Sequence, residues 1–139
     1  RTTVADGRWI AALTSRQFLV SEDIQCGVTI DLTTTESEAT VLAQDWVEIG
    51  IEGPLVEPIF AELCSTNLAQ YGAYDWIPSL LGEIEAAIYR GLKPLQYRVL
   101  CAPADGPYLF GILAARMVEQ GGLTIGFDDY RRRQPRQSD

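Results

Sequence analysis

The chain has 139 residues, 47% of them apolar and 22% charged, with a net charge of −8. That balance excludes the disordered and collagen-like classes, and folding at this length removes about two-thirds of the unfolded surface from water, enough for one core. No apolar run approaches the ~18–20 residues of a membrane span, and the opening Arg1-Thr2-Thr3-Val4 carries no signal-peptide run, so a cytoplasmic protein without membrane contact is expected.

Histidine is absent. Its absence removes Ser-His-Asp and Cys-His catalysis, imidazole acid/base work and nearly all zinc sites together. An enzyme built from this chain would have to use carboxylates, arginine, its single lysine, tyrosine or cysteine. Cys26, Cys64 and Cys101 are odd in number, far apart and set among apolar residues, the pattern of buried thiols rather than of a disulfide framework. Neither a metal nor a cofactor is expected.

Charge is segregated along the chain. From Gln17 to Tyr89 there are thirteen acidic residues and no lysine or arginine, whereas both ends are basic. Such a field repels nucleic acid and attracts basic surfaces, so the expected partner is a basic protein or a second copy of the chain, as in a homodimer. An acidic surface that only maintains solubility is the simpler alternative. Four arginines in the closing 130–139 form a basic tail, leaving 1–129 as the single globular domain.

Near the N-terminus, Arg8 to Leu13 and Gln17 to Val20 fit a hairpin around Thr14-Ser15-Arg16, or a short helix in the first of them. Ile24, Cys26, Val28, Ile30 and Leu32 alternate with Gln25, Gly27, Thr29 and Asp31, the pattern of a half-buried strand. Thr33 to Glu38 reads as a turn into a helix, with Thr35 and Glu38 as a capping box and Gly50 as the stop. Ala39, Leu42, Ala43, Trp46 and Ile49 share one helical face, although Val41, Ala43, Val47, Ile49 and Ile51 also fit strand alternation.

After the connector Ile51-Glu52-Gly53-Pro54, a helix is predicted to start at Pro58 and bury Phe60, Cys64 and Leu68 before Gly72. A further helix is predicted from Asp75 to Gly91, with Pro78 in its first turn and Ile77, Leu80, Leu81, Ile84 and Ile88 facing inward. On that helix Glu83 and Glu85 lie two apart and cannot face each other, which argues against a catalytic or metal-binding carboxylate pair.

Leu95 to Ala102 reads as a strand, Asp105 to about Gln120 as a helix stopped by Gly121-Gly122, and Leu123 to Phe127 as a second strand. This β-α-β pattern implies two parallel strands with a right-handed crossover. Leu109, Phe110, Ile112, Leu113, Ala114, Met117 and Val118 make the helix apolar nearly all round, implying cover on more than one side. The expected architecture is an α+β or small α/β domain of two layers: N-terminal strands, central helices and a C-terminal β-α-β unit.

Two places are candidates for a site. The loop from Pro103 to Tyr108 joins a strand end to a helix N-terminus, where backbone N–H groups favour anions, so Asp105, Gly106 and Tyr108 are candidate ligand-binding residues. Against this, Pro107 removes an N–H, and Asp105 suits an ordinary N-cap. The aromatic, acidic stretch with Tyr71, Tyr74, Asp75 and Trp76 has the composition of a binding hot spot, or of a loop pinned to the core. Together these features point to a small acidic interaction or assembly module, of inhibitor, immunity-type or self-associating kind. The alternative is a small α/β ligand-binding protein or histidine-free enzyme using the 103–108 loop.

Overall fold

The computed structural model describes residues 2–5, 8–12, 18–20, 46–73, 75–90, 95–126, 128–129 and 132. The predicted strand over 24–32 and the first half of the helix predicted over 39–51 lie outside them. At the N-terminus, β1 (Thr2–Ala5), β2 (Arg8–Ala12) and β3 (Phe18–Val20) form an antiparallel sheet in that order. Ala12 pairs with Phe18, which is the hairpin alternative for this stretch.

Val47–Glu52 is a strand, β4, and not the end of a helix. Here alternation prevails over helical spacing: Ile49 and Ile51 are buried, while Glu48, Gly50 and Glu52 face outward. Gly50 therefore stops nothing and sits inside the strand, opposite Arg98.

The helix predicted from Asp75 to Gly91 is instead a hairpin of β5 (Trp76–Leu81) and β6 (Ile84–Arg90). Its two-residue turn, Gly82-Glu83, has φ of +57° and +71°. Positive φ at both positions matches the right-handed twist of the flanking strands and is incompatible with a continuing helix. Counting from the Leu81–Ile84 pair that closes the turn, Pro78 falls where its nitrogen points away from β6. On an edge strand that position tolerates a missing N–H. Glu83 and Glu85 are exposed, one in the turn and one on the strand.

The strand β7 (Gln96–Cys101) completes a four-stranded antiparallel sheet in the order β4-β7-β6-β5. Val99 on β7 pairs with Ile49 on one side and Ile88 on the other, and Ile88 pairs with Ile77. This apolar row is the centre of the core. Val99, Ile88 and Ile77 are almost fully buried, each contributing about 1.5–3 kcal/mol relative to exposure. Ala87, Tyr89 and Leu100, on the opposite face, are buried as well.

Two helices cover the core face. The first, α1 (Val56–Leu63), begins before Pro58, whose missing N–H falls among the unpaired donors of the first turn. Val56, Ile59 and Phe60 form its buried stripe. It stops at Leu63 because the Leu63 carbonyl accepts from the N–H of Gly82 in the β5-β6 turn, at 2.9 Å, and Cys64 is extended. Leu68 reaches the core from a 3-10 turn, Leu68–Gln70, instead of from the predicted stripe.

The second helix, α2, spans Gly106–Glu119. Gly121 (φ +80°) donates to Val118 and Gly122 donates to Met117, so the helix ends in a Schellman motif. Among the described residues 122–126 there is no strand. The predicted parallel partner of β7 is therefore not found among 123–126: both neighbours of β7, β4 and β6, are antiparallel to it. Among the described residues α2 is covered on one side: Leu109 and Leu113 are buried, whereas Tyr108 (59%), Phe110 (48%) and Val118 (60%) are exposed. No helix among the described residues is long and apolar enough to cross a membrane.

Candidate functional site

The residues predicted for ligand binding are neighbours at the start of α2, outside the lining of the groove described below. Asp105 is the residue before α2, yet its side chain makes no capping hydrogen bond. Its charge lies near Cys101, whose thiol is pushed up first by burial and then by Asp105. Gly106 is buried against β4: a Cβ there would stand 2.9 Å from Val47 Cγ2. Tyr108 projects outward from the first turn of α2.

The aromatic stretch is fastened from two sides. The Asp75 carboxylate accepts from the Gly72 N–H at 2.7 Å, and Arg90 Nη1 donates to the Tyr71 carbonyl at 3.0 Å. Trp76 begins β5, half-buried and paired with Tyr89. Tyr74 lies outside the described residues.

A polar cluster beneath α1 escapes any reading of the sequence. Tyr97, fully buried on β7, donates its hydroxyl to Glu57 of α1, packs edge-on against Phe60 at 5.5 Å, and carries the Arg90 guanidinium 5.5 Å over its ring. Burial and then the hydrogen bond to Glu57 push the phenol up to about 12, against the pull of Arg90. The hydrogen bond to Glu57 and the ring contact with Phe60 fasten α1 to the sheet.

A cavity lies along β4. It encloses about 280 Å³, and its wall includes four consecutive residues of β4, Ile49 to Glu52. Successive strand residues point to opposite faces, so a wall with four in a row is the strand's edge and not one of its faces. On the helix side Phe110, Leu113, Ala114 and Met117 repeat at the spacing of one helical face. The far side is the segment 122–125, turned back by the Schellman motif.

Gly50 opens this groove to the other face of the sheet. With no side chain there, Arg98 lies across β4, pairing with Glu48 at 3.2 Å. Two residue pairs further along the strand, Gln96 Nε2 donates to Glu52 at 3.3 Å. The groove is thus apolar towards α2 and polar towards Glu52, Gln96 and Arg98, the last paired with Glu48 beyond the lining. Two signals in the sequence mark it: a glycine inside a strand pattern, and a helix too apolar for the cover it finds.

Among the described residues no three of Cys, Asp or Glu converge as metal ligands. The cavity sits at the lower bound of the ~300–1,000 Å³ typical of small-molecule sites, room for one or two side chains and too little for a dinucleotide. No family model, curated protein or solved structure matches the chain, which leaves the geometry of the groove as the ground for a functional reading.

Proposed function

We propose that this chain is a protein-interaction module that takes a segment of a partner into the groove between β4 and α2. The observation that carries the proposal is the open apolar wall: Phe110 is 48% exposed and Leu123 66% exposed across a groove floored by Leu113 and Met117. Large apolar side chains around a small concave site are the form of a hot-spot receptor. The aromatic loop is a weaker candidate for a docking surface, since Asp75 and the Tyr71 carbonyl already have partners within the chain.

Peptides selected by phage display on the intact protein test the proposal when they are measured again on Phe110→Asp. Because Phe110 is half-exposed, this variant should keep the wild-type circular dichroism spectrum. Loss of roughly ten-fold or more in affinity supports the groove, as expected for removing an anchoring contact. Equal binding to both proteins, or no enrichment, sinks it.

A further inference from the structure

The two edges of the four-stranded sheet are guarded differently. Strand β5 carries Pro78 at its edge, which denies a neighbouring strand one hydrogen bond. Strand β4, Val47-Glu48-Ile49-Gly50-Ile51-Glu52, has no proline or lysine, and among the described residues it pairs on one side only, with β7. Its other edge faces the groove. An extended segment laid there would gain main-chain hydrogen bonds from β4 and place alternate side chains on the two faces of the sheet.

The faces ask for opposite chemistry. On one side the incoming side chains would meet Ile49, Ile51, Phe110 and Met117. On the other they would stand beside Glu48 and Glu52, both exposed, with Arg98 lying over Gly50 between them and paired with Glu48, so two acids against one base leave this face net negative. Opposite charges and apolar pairs across strands each stabilise a sheet by about 0.2–1 kcal/mol, and like charges oppose it.

Resting on the reading of the groove as a protein-interaction site, we infer that its occupant is an extended, basic segment of another protein, alternating apolar with basic side chains, which adds to the sheet as a fifth strand beside β4. A second copy of this chain is the poorer occupant. Pairing β4 with itself about Gly50 would set Glu48 against Glu52 on both sides of the pairing centre.

Three blocked peptides of the same length as β4 provide the test: valine alternating with lysine, valine alternating with glutamate, and the valine-lysine composition scrambled. Each is titrated into the full chain by calorimetry and by amide NMR. The alternating lysine peptide should bind, shift the amides of Ile49 to Glu52 together with those of α2, and weaken with added salt. It should lose several-fold in affinity on the double variant Glu48→Gln, Glu52→Gln. The other two peptides should bind at least ten-fold more weakly. If either of them binds as well at the same amides, the alternation or the charge is wrong and the inference fails, while the groove remains an interaction site. The inference also fails if none of the three binds although phage-selected peptides still depend on Phe110, or if the β4 amides shift with protein concentration alone, which would make a second copy the occupant. Loss of Phe110 dependence for every peptide would remove the underlying reading itself.

Discussion

The Arg98 guanidinium fills the place that a side chain at Gly50 would need: a Cβ built on Gly50 stands 2.8 Å from Arg98 Nη1. The two residues pair across β4 and β7, and the contact directs Arg98 to Glu48 and to the wall of the groove. A glycine that weakens a strand locally thus shapes the candidate site.

Gly50→Ala is expected to displace the flexible end of Arg98 with little loss of stability. Removing a strand glycine gains about 0.5–1 kcal/mol, and the half-exposed ion pair is worth about 0–1 kcal/mol, so the two nearly offset. Urea unfolding should change by less than about 1 kcal/mol, while peptide affinity at the groove falls. A stability loss well beyond that would show that Arg98 cannot move aside for a side chain at position 50.

Gly106 and Val47 behave differently, because the atoms in the way belong to a stiff branched side chain packed against the core. Cγ2, Cγ1 and Cβ of Val47 lie 2.9, 3.0 and 3.1 Å from a Cβ at position 106. Gly106→Ala is expected to cost about 1–3 kcal/mol through overpacking, in spite of alanine's better helix propensity. Adding Val47→Ala should recover part of that loss, and a double-mutant cycle by chemical denaturation should return a coupling of about 0.5–3 kcal/mol. Strict additivity would mean that α2 and β4 separate freely.

Tyr97 predicts an alkaline dependence whose sign follows from its raised pKa. The folded protein holds the phenol protonated to about 12, above the ordinary tyrosine value of 10.0. Its contribution is therefore fully present below pH ~10 and is lost as the pH rises through about 12. The other tyrosines titrate in the same range, so the measurement is a difference: unfolding free energies of wild type and Tyr97→Phe between neutral pH and pH ~11.5. The gap between the two proteins should shift in favour of Tyr97→Phe with rising pH. A constant gap would mean that Tyr97 ionises as it does in the unfolded chain.

Glu83 occupies the left-handed region at φ +71°, in the turn between β5 and β6. A side chain there costs about 1–2 kcal/mol, partly offset by the unfolded-state entropy that glycine adds. Glu83→Gly should therefore raise stability by up to about 1 kcal/mol, read as a higher Tm. A lower Tm would indicate that the Glu83 side chain makes a compensating interaction.

Much of the last third of the chain was legible because its signals are local. Gly121-Gly122 stops α2 through bonds spanning five residues, and Asp105-Gly106-Pro107 marks its start. The helix proposed over 75–91 failed for an equally local reason. Ile77, Leu81, Ile84 and Ile88 satisfy a helical stripe, yet Ile77, Leu81, Ala86 and Ile88 also line one sheet face, and the deciding Gly82-Glu83 turn resembles ordinary helix interior apart from one glycine. The loop residues Asp105, Gly106 and Tyr108 were found as neighbours but outside the groove, whose wall comes from β4, β7, α2 and 122–125.

By itself the sequence determined the chemistry open to the chain: no imidazole, a long acidic stretch between basic ends, and enough apolar residues for one core. It also determined those elements whose starts and stops are written in adjacent residues. Tertiary structure alone decided that Val47–Glu52 is a strand, because its partner, Gln96–Cys101, lies more than forty residues away along the chain, and an apolar run of that length satisfies both periods until a neighbour supplies hydrogen bonds. It decided the groove as well: the Schellman motif turns the chain back after α2, and 122–125, which form no strand, become the groove's outer wall.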